Sequence, residues 1–125
     1  MNRRIRITAG DVSMEAELED NSVARAIWKA LPIKKNGYKW GDEIYFSIPV
    51  KAEIENAREF VQAGDLGYWP PGNAFCIFFG PTPASRGDEI RPASAVEVVG
   101  HLLGEPMEFK GVQSGTIVKI EKLDN

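Results

Sequence analysis

Gly64-Asp65-Leu66-Gly67-Tyr68-Trp69-Pro70-Pro71-Gly72 is the stretch on which the fold turns. Asp65 to Trp69 reads as a strand, rich in aromatic residues that suit a pleated surface. Pro70-Pro71-Gly72-Asn73 reads as a tight turn, with Pro71 fixing φ at its second position and Gly72 free to take φ > 0 at its third. The next six residues, Ala74 to Phe79, are all apolar, so this strand is expected to be covered on both faces. Residues 65–79 therefore predict a hairpin at the centre of the molecule.

Working upstream, Glu43-Ile44-Tyr45-Phe46-Ser47-Ile48 alternates. Ile44, Phe46 and Ile48 share one face; Glu43, Tyr45 and Ser47 share the other. That pattern predicts a strand with a packed side and a more open side. Lys34-Lys35-Asn36-Gly37 reads as a polar loop. Residues 21–31 change period: Val23, Ala24, Ile27, Trp28 and Leu31 recur at helical spacing, Asn21 or Ser22 can cap the start, and Pro32 stops it. Residues 3–9 and 12–18 alternate around Ala9-Gly10-Asp11, the signature of a second hairpin. Arg3, Arg4 and Arg6 fit an edge strand guarded by charge.

Downstream, Gly80 to Pro92 is a long loop bearing Gly and Pro. Val96, Val98 and Val99 form another strand, residues 104–115 are loop-like with one helical turn near Met107, and Thr116 to Leu123 is β-branched and closes the chain. Residues 53–62 stand between a helical turn and a strand. Many short strands with one helix predict a mainly β, single-domain barrel over 1–125, a form that removes exposed sheet edges.

Composition narrows the function. The chain has 125 residues, enough for one core, and a formal charge of −3. A surface of that sign offers phosphates no general attraction, so nucleic acid is not expected as a partner. The start has basic residues without an apolar stretch after them, and the longest apolar run is too short to span a bilayer. One cysteine allows no intrachain disulfide. These features point to the cytoplasm and away from membranes. Phosphate-cradling, dinucleotide, zinc-protease and serine-nucleophile motifs are all missing, and no cofactor or metal is expected. Cys76 lies in an apolar run and reads as an inert small hydrophobe rather than a partner for His101. Asp65, after Gly64, reads as a turn residue bonding nearby backbone. The aromatic residues of the two central strands, together with Glu43, suggest a pocket of apolar walls and few polar groups. Its expected lining is Glu43, Tyr45, Tyr68, Trp69 and Phe75, with Ser94 contributing.

The segments 40–50, 64–80 and 92–96 resemble the small prokaryotic cyclophilin-like proteins, and the resemblance covers nearly the whole chain. It implies a closed β-barrel of about eight strands with one main helix. Typical cyclophilins isomerise prolyl bonds, and Gln62-Ala63-Gly64-Asp65-Leu66 looks like the end of their site motif. Counting back from Gln62, the place of the family's Phe holds Glu59 and that of its Arg holds Ile54. Arg58 and Phe60 stand nearby at another spacing. Val96 occupies the place of a Trp expected five residues before the site histidine, here His101. Arg58, Gln62 and His101 are thus the candidates for a weak, atypical isomerase. The expectation from the residues themselves is a binding module for a small molecule or an extended peptide.

Overall fold

The computed structural model describes residues 3–123. Its strands are β1 (Arg3–Ala9), β2 (Val12–Leu18), β3 (Ile33–Asn36), β4 (Tyr38–Lys39), β5 (Glu43–Ser47), β6 (Asp65–Trp69), β7 (Ala74–Phe78), β8 (Glu97–Leu102) and β9 (Ile117–Lys122). One helix, α1 (Ser22–Ala30), follows β2, and two 3-10 turns lie at Pro70–Gly72 and Pro106–Gly111. The strands form one antiparallel sheet in the order β3-β9-β1-β2-β8-β6-β7-β5-β4.

The two ends of that order are neighbours in the chain, separated by Gly37 alone. The sheet therefore curls until β3 and β5 touch, giving a nearly closed barrel. Gly37 donates to the Thr116 carbonyl at 2.8 Å and accepts from the Gly115 N–H at 2.7 Å. A Cβ there would stand 2.8 Å from Val118 Cγ2 and 2.9 Å from Ile44 Cγ2. Only glycine lets the chain step across the closing seam.

Alternation sorts the side chains between two faces. Ile5, Ile7, Leu18, Ile44, Phe46, Leu66, Tyr68, Phe75, Ile77, Val99, Val118 and Ile120 fill the interior. On the outside of the β5–β7–β6–β8 wall a second, smaller cluster forms from Val61, Ala74, Cys76, Phe78, Ile90, Val96 and Val98, with Trp69 against it. The irregular segments 50–64 and 80–96 cover this wall. That explains why Ala74 to Phe78 is apolar throughout: one face points into the barrel and the other under the covering loops.

The 65–79 hairpin forms as expected, with Leu66 opposite Ile77 and Trp69 opposite Ala74. Its turn differs in detail. The positive φ (47°) falls at Asn73, not Gly72, because the two prolines wind a 3-10 turn that Asn73 then reverses. The cis bond in the described residues is Leu31–Pro32, outside this turn. The α1 helix starts as read: Asn21 Oδ1 accepts from Ala24 N–H at 2.8 Å, and its Nδ2 donates to the Val98 carbonyl at 3.1 Å. One side chain thus caps the helix and fastens it to β8.

Two expectations are corrected. Lys34, Lys35 and Asn36 are not a loop but part of β3, since they pair with β9 while their side chains face solvent. Arg3, Arg4 and Arg6 do not guard an edge, because β1 is paired on both sides, with β2 and β9. Their charges serve the outer surface instead. Arg4 lies 3.3 Å from Glu17 and 3.6 Å from Glu15, and Arg3 sits over the Trp28 ring at 5.5 Å.

Candidate functional site

The wall beneath the covering loops carries a cavity of about 280 Å³. Trp40, Glu43, Tyr45, Trp69, Pro92, Ala93 and Val96 line it. Four segments converge here. The turn before β5 brings Trp40, whose N–H donates to the Glu43 carbonyl at 2.9 Å across a chain reversal that Gly41 makes at φ 61°. Strand β5 supplies Glu43 and Tyr45, and the end of β6 supplies Trp69. The 80–96 loop closes the far side, and its shape is set by side chains. Thr82 Oγ1 donates to the Arg91 carbonyl, and Ser85 Oγ accepts from the N–H groups of Thr82 at 3.0 Å and Arg91 at 3.1 Å.

Glu43 is the chemically unusual member. It is only 5% exposed, and its Oε1 is buried with no hydrogen-bond partner. Burial pushes its pKa from 4.5 up to about 7, offset in part by the neighbouring Cys76 thiol. Cys76 is itself wholly buried, and its pKa is pushed up by burial and then by the Glu43 charge. The second buried glutamate shows what a structural carboxylate looks like in this molecule. Glu97, 2% exposed, accepts from the backbone N–H groups of Glu55 at 2.8 Å and Asn56 at 3.5 Å, and so pins the covering segment. Glu43 has no such task.

Of the residues expected to line a pocket, Glu43, Tyr45 and Trp69 do so. Ser94 is joined to them, accepting from Trp69 Nε1 at 2.7 Å. Tyr68 and Phe75 do not reach the cavity: both are fully buried on the inner face of the barrel. The reason is parity, since β6 and β7 alternate and these two share a side with Leu66 and Ile77. Tyr68 instead donates its hydroxyl to the Val50 carbonyl at 2.7 Å and accepts from the Ala52 N–H at 3.2 Å. Trp40, Pro92, Ala93 and Val96 were not among the expected lining residues. Trp40 had a readable signal in Trp40-Gly41-Asp42-Glu43, where glycine permits the reversal that folds the indole toward the glutamate. The other three come from a long loop with no local signal of where it packs.

The second set of candidates meets elsewhere. Arg58, Phe60, Gln62 and His101 line a shallow concavity of about 430 Å³ with Glu19 and Asp65. Arg58 reaches it because its backbone bridges Val96. Asp65 is the turn residue expected, accepting from Gln62 N–H at 2.9 Å through one oxygen while the other meets His101 Nδ1 at 2.9 Å. His101 Nε2 lies 2.6 Å from Glu19. Cys76 and His101 are not brought together, one being buried beside Glu43 and the other held between two carboxylates. Among the described residues no cluster of three or more His, Cys, Asp or Glu is arranged to hold a metal ion. Among the same residues no helix is long and apolar enough to cross a membrane.

A nearly closed antiparallel barrel with a single main helix, its outer wall hollowed under two long loops, is the frame that these sites share. The Cyclophilin-like family profile matches residues 3–121, and the chain belongs to that family. It is similar to a hypothetical protein of Archaeoglobus fulgidus whose solution structure is known. The two are 43% identical, with a TM-score of 0.82 over 98% of this chain and 95% of the other. No curated protein matches the sequence.

Proposed function

We propose that the protein is a cytoplasmic binding module. It holds a small molecule, or one side chain of an extended peptide, in the cavity framed by Trp40, Glu43, Tyr45 and Trp69. The observation that supports this reading is the buried carboxyl of Glu43, its Oε1 without a hydrogen-bond partner, in an otherwise apolar cavity. Burying a carboxyl works against folding, and here the Cys76 thiol offsets that cost only in part while Oε1 has no partner. A ligand that donates to this carboxyl would supply what the fold leaves out. The volume suits a group of about one ring, at the small end of ligand pockets.

The test is a thermal-shift panel of metabolites and short peptides on the wild type and Tyr45→Ala. A ligand bound to the native state raises its stability by mass action. At least one compound is expected to raise the wild-type Tm, with a smaller rise in the variant. If none does, this reading falls.

A second reading, weak prolyl isomerisation, has one supporting observation: Arg58, Phe60, Gln62 and His101 share a concavity despite their irregular spacing. Against it, Arg91 already covers the Phe60 ring at 4.6 Å, and both nitrogens of His101 are engaged. A protease-free assay on proline peptides decides between the two. Background rate is expected; a faster rate that Arg58→Ala abolishes would favour the isomerase.

A further inference from the structure

Resting on that reading of the pocket, we infer that its ligand is a protonated amine carrying a compact apolar body, seated with its N–H groups on the Glu43 carboxylate.

Three features of the cavity lead there. First, its polar recognition group is a buried carboxyl whose Oε1 has no partner, and once ionised that carboxylate can only accept, so a ligand that brings donors matches it. Second, the lining holds no Lys, Arg or His, so an anionic ligand would meet a buried acid with no compensating cation. Third, the carboxyl is accompanied by Trp40, Tyr45 and Trp69, whose ring faces attract cations. A neutral alcohol or amide would satisfy the first feature but gain nothing from the third. The remaining side chains of the lining, Pro92, Ala93 and Val96, are hydrocarbon and suit an apolar body. One cationic head and one small apolar body therefore match the cavity on both counts.

The match implies a proton exchange. In the empty pocket Glu43 holds its proton up to about pH 7. Docking an ammonium replaces that proton with an ion pair, and the proton leaves to solvent. Cys76 on β7 is the titratable group facing Glu43, with Tyr45 beside it on the pocket wall. Asp42, the preceding residue, is paired to Lys110 at 2.8 Å.

The experiment compares phenethylamine with its neutral isostere 2-phenylethanol, by calorimetry and by tryptophan fluorescence, on the wild type, Glu43→Gln and Tyr45→Ala. Phenethylamine is expected to bind the wild type at least roughly tenfold tighter than the alcohol. Glu43→Gln should erase that difference, and Tyr45→Ala should weaken the amine. Because an alkylamine stays cationic below about pH 9, its affinity should climb from pH 5.5 to 8, with net proton release near pH 7. A doubly capped lysine pentapeptide forms a further arm; if it binds in place of phenethylamine, the amine class stands and its source is a polypeptide. Equal binding of amine and alcohol, or an amine preference that survives Glu43→Gln, overturns the inference while leaving a pocket in place. If a thermal-shift panel also finds no ligand, the pocket reading fails with it.

Discussion

A carboxyl enclosed by hydrocarbon is a burden on a fold, and Glu43 carries that burden in a measurable way. The native state keeps its proton up to about pH 7, whereas the unfolded chain gives it up near 4.5. Between those values the unfolded state binds fewer protons, so raising the pH lowers stability. The loss is on the order of 3 kcal/mol, complete above pH 7 and absent below 4.5. Glu43→Gln removes the titration. Its urea-unfolding free energy is expected to stay flat over this range and to exceed the wild type's at pH 8. A parallel decline in both proteins would show that Glu43 is not the group responsible. The alternation of residues 43–48 places Glu43 on the open face, away from Ile44 and Phe46, and that placement holds. Its burial could not be read there, because the cover comes from residues about 50 positions further along the chain.

Elements were legible where one local signal outweighed the rest. The α1 helix has its period, its cap and its stop within twelve residues. Asn21→Ala should cost about 1–2 kcal/mol in denaturant unfolding, since it deletes both the cap and the bond to the Val98 carbonyl. A loss below about 0.3 kcal/mol would mean that the cap is dispensable. Strand β3 was illegible for the opposite reason. Lys34-Lys35-Asn36 has no hydrophobic face of its own, and its strand form is imposed by pairing with β9. The β6–β7 hairpin was evident as a pair, but aromatic content alone did not tell Tyr68 from Trp69; the parity of the strand does. Tyr68→Phe leaves the Val50 carbonyl and the Ala52 N–H without their partner, and should lower stability by about 1–3 kcal/mol without altering any pocket ligand's affinity. A changed affinity at equal stability would return Tyr68 to the site.

For the molecule as a whole, the barrel class followed from many short strands and one helix, yet which strands lie at the seam did not. Neighbours in a closed sheet are set by long-range register, and β1 shows this. Its arginines look like edge protection, but the strand is flanked by β2 and β9. The seam itself is a test of closure. Gly37→Ala drives a methyl group into Val118 and Ile44, and should cost about 1–3 kcal/mol by overpacking. It should also speed amide exchange in β3 and β9 before it does so in β6 and β7. Uniform acceleration across all strands would mean that the seam has no independent opening.

The 80–96 loop holds its shape largely through its own side chains, Thr82 and Ser85 binding its two limbs together. It is thus a self-braced cover, fastened to the wall through Ile90 and Val96 while its other positions stand outside the barrel's hydrogen-bond ladder. On the proposed function, a chain with this scaffold and a carboxyl at the place of Glu43 would change what it holds by exchanging this one segment. Grafting it between two such proteins should transplant selectivity while leaving the melting behaviour of the host barrel nearly intact.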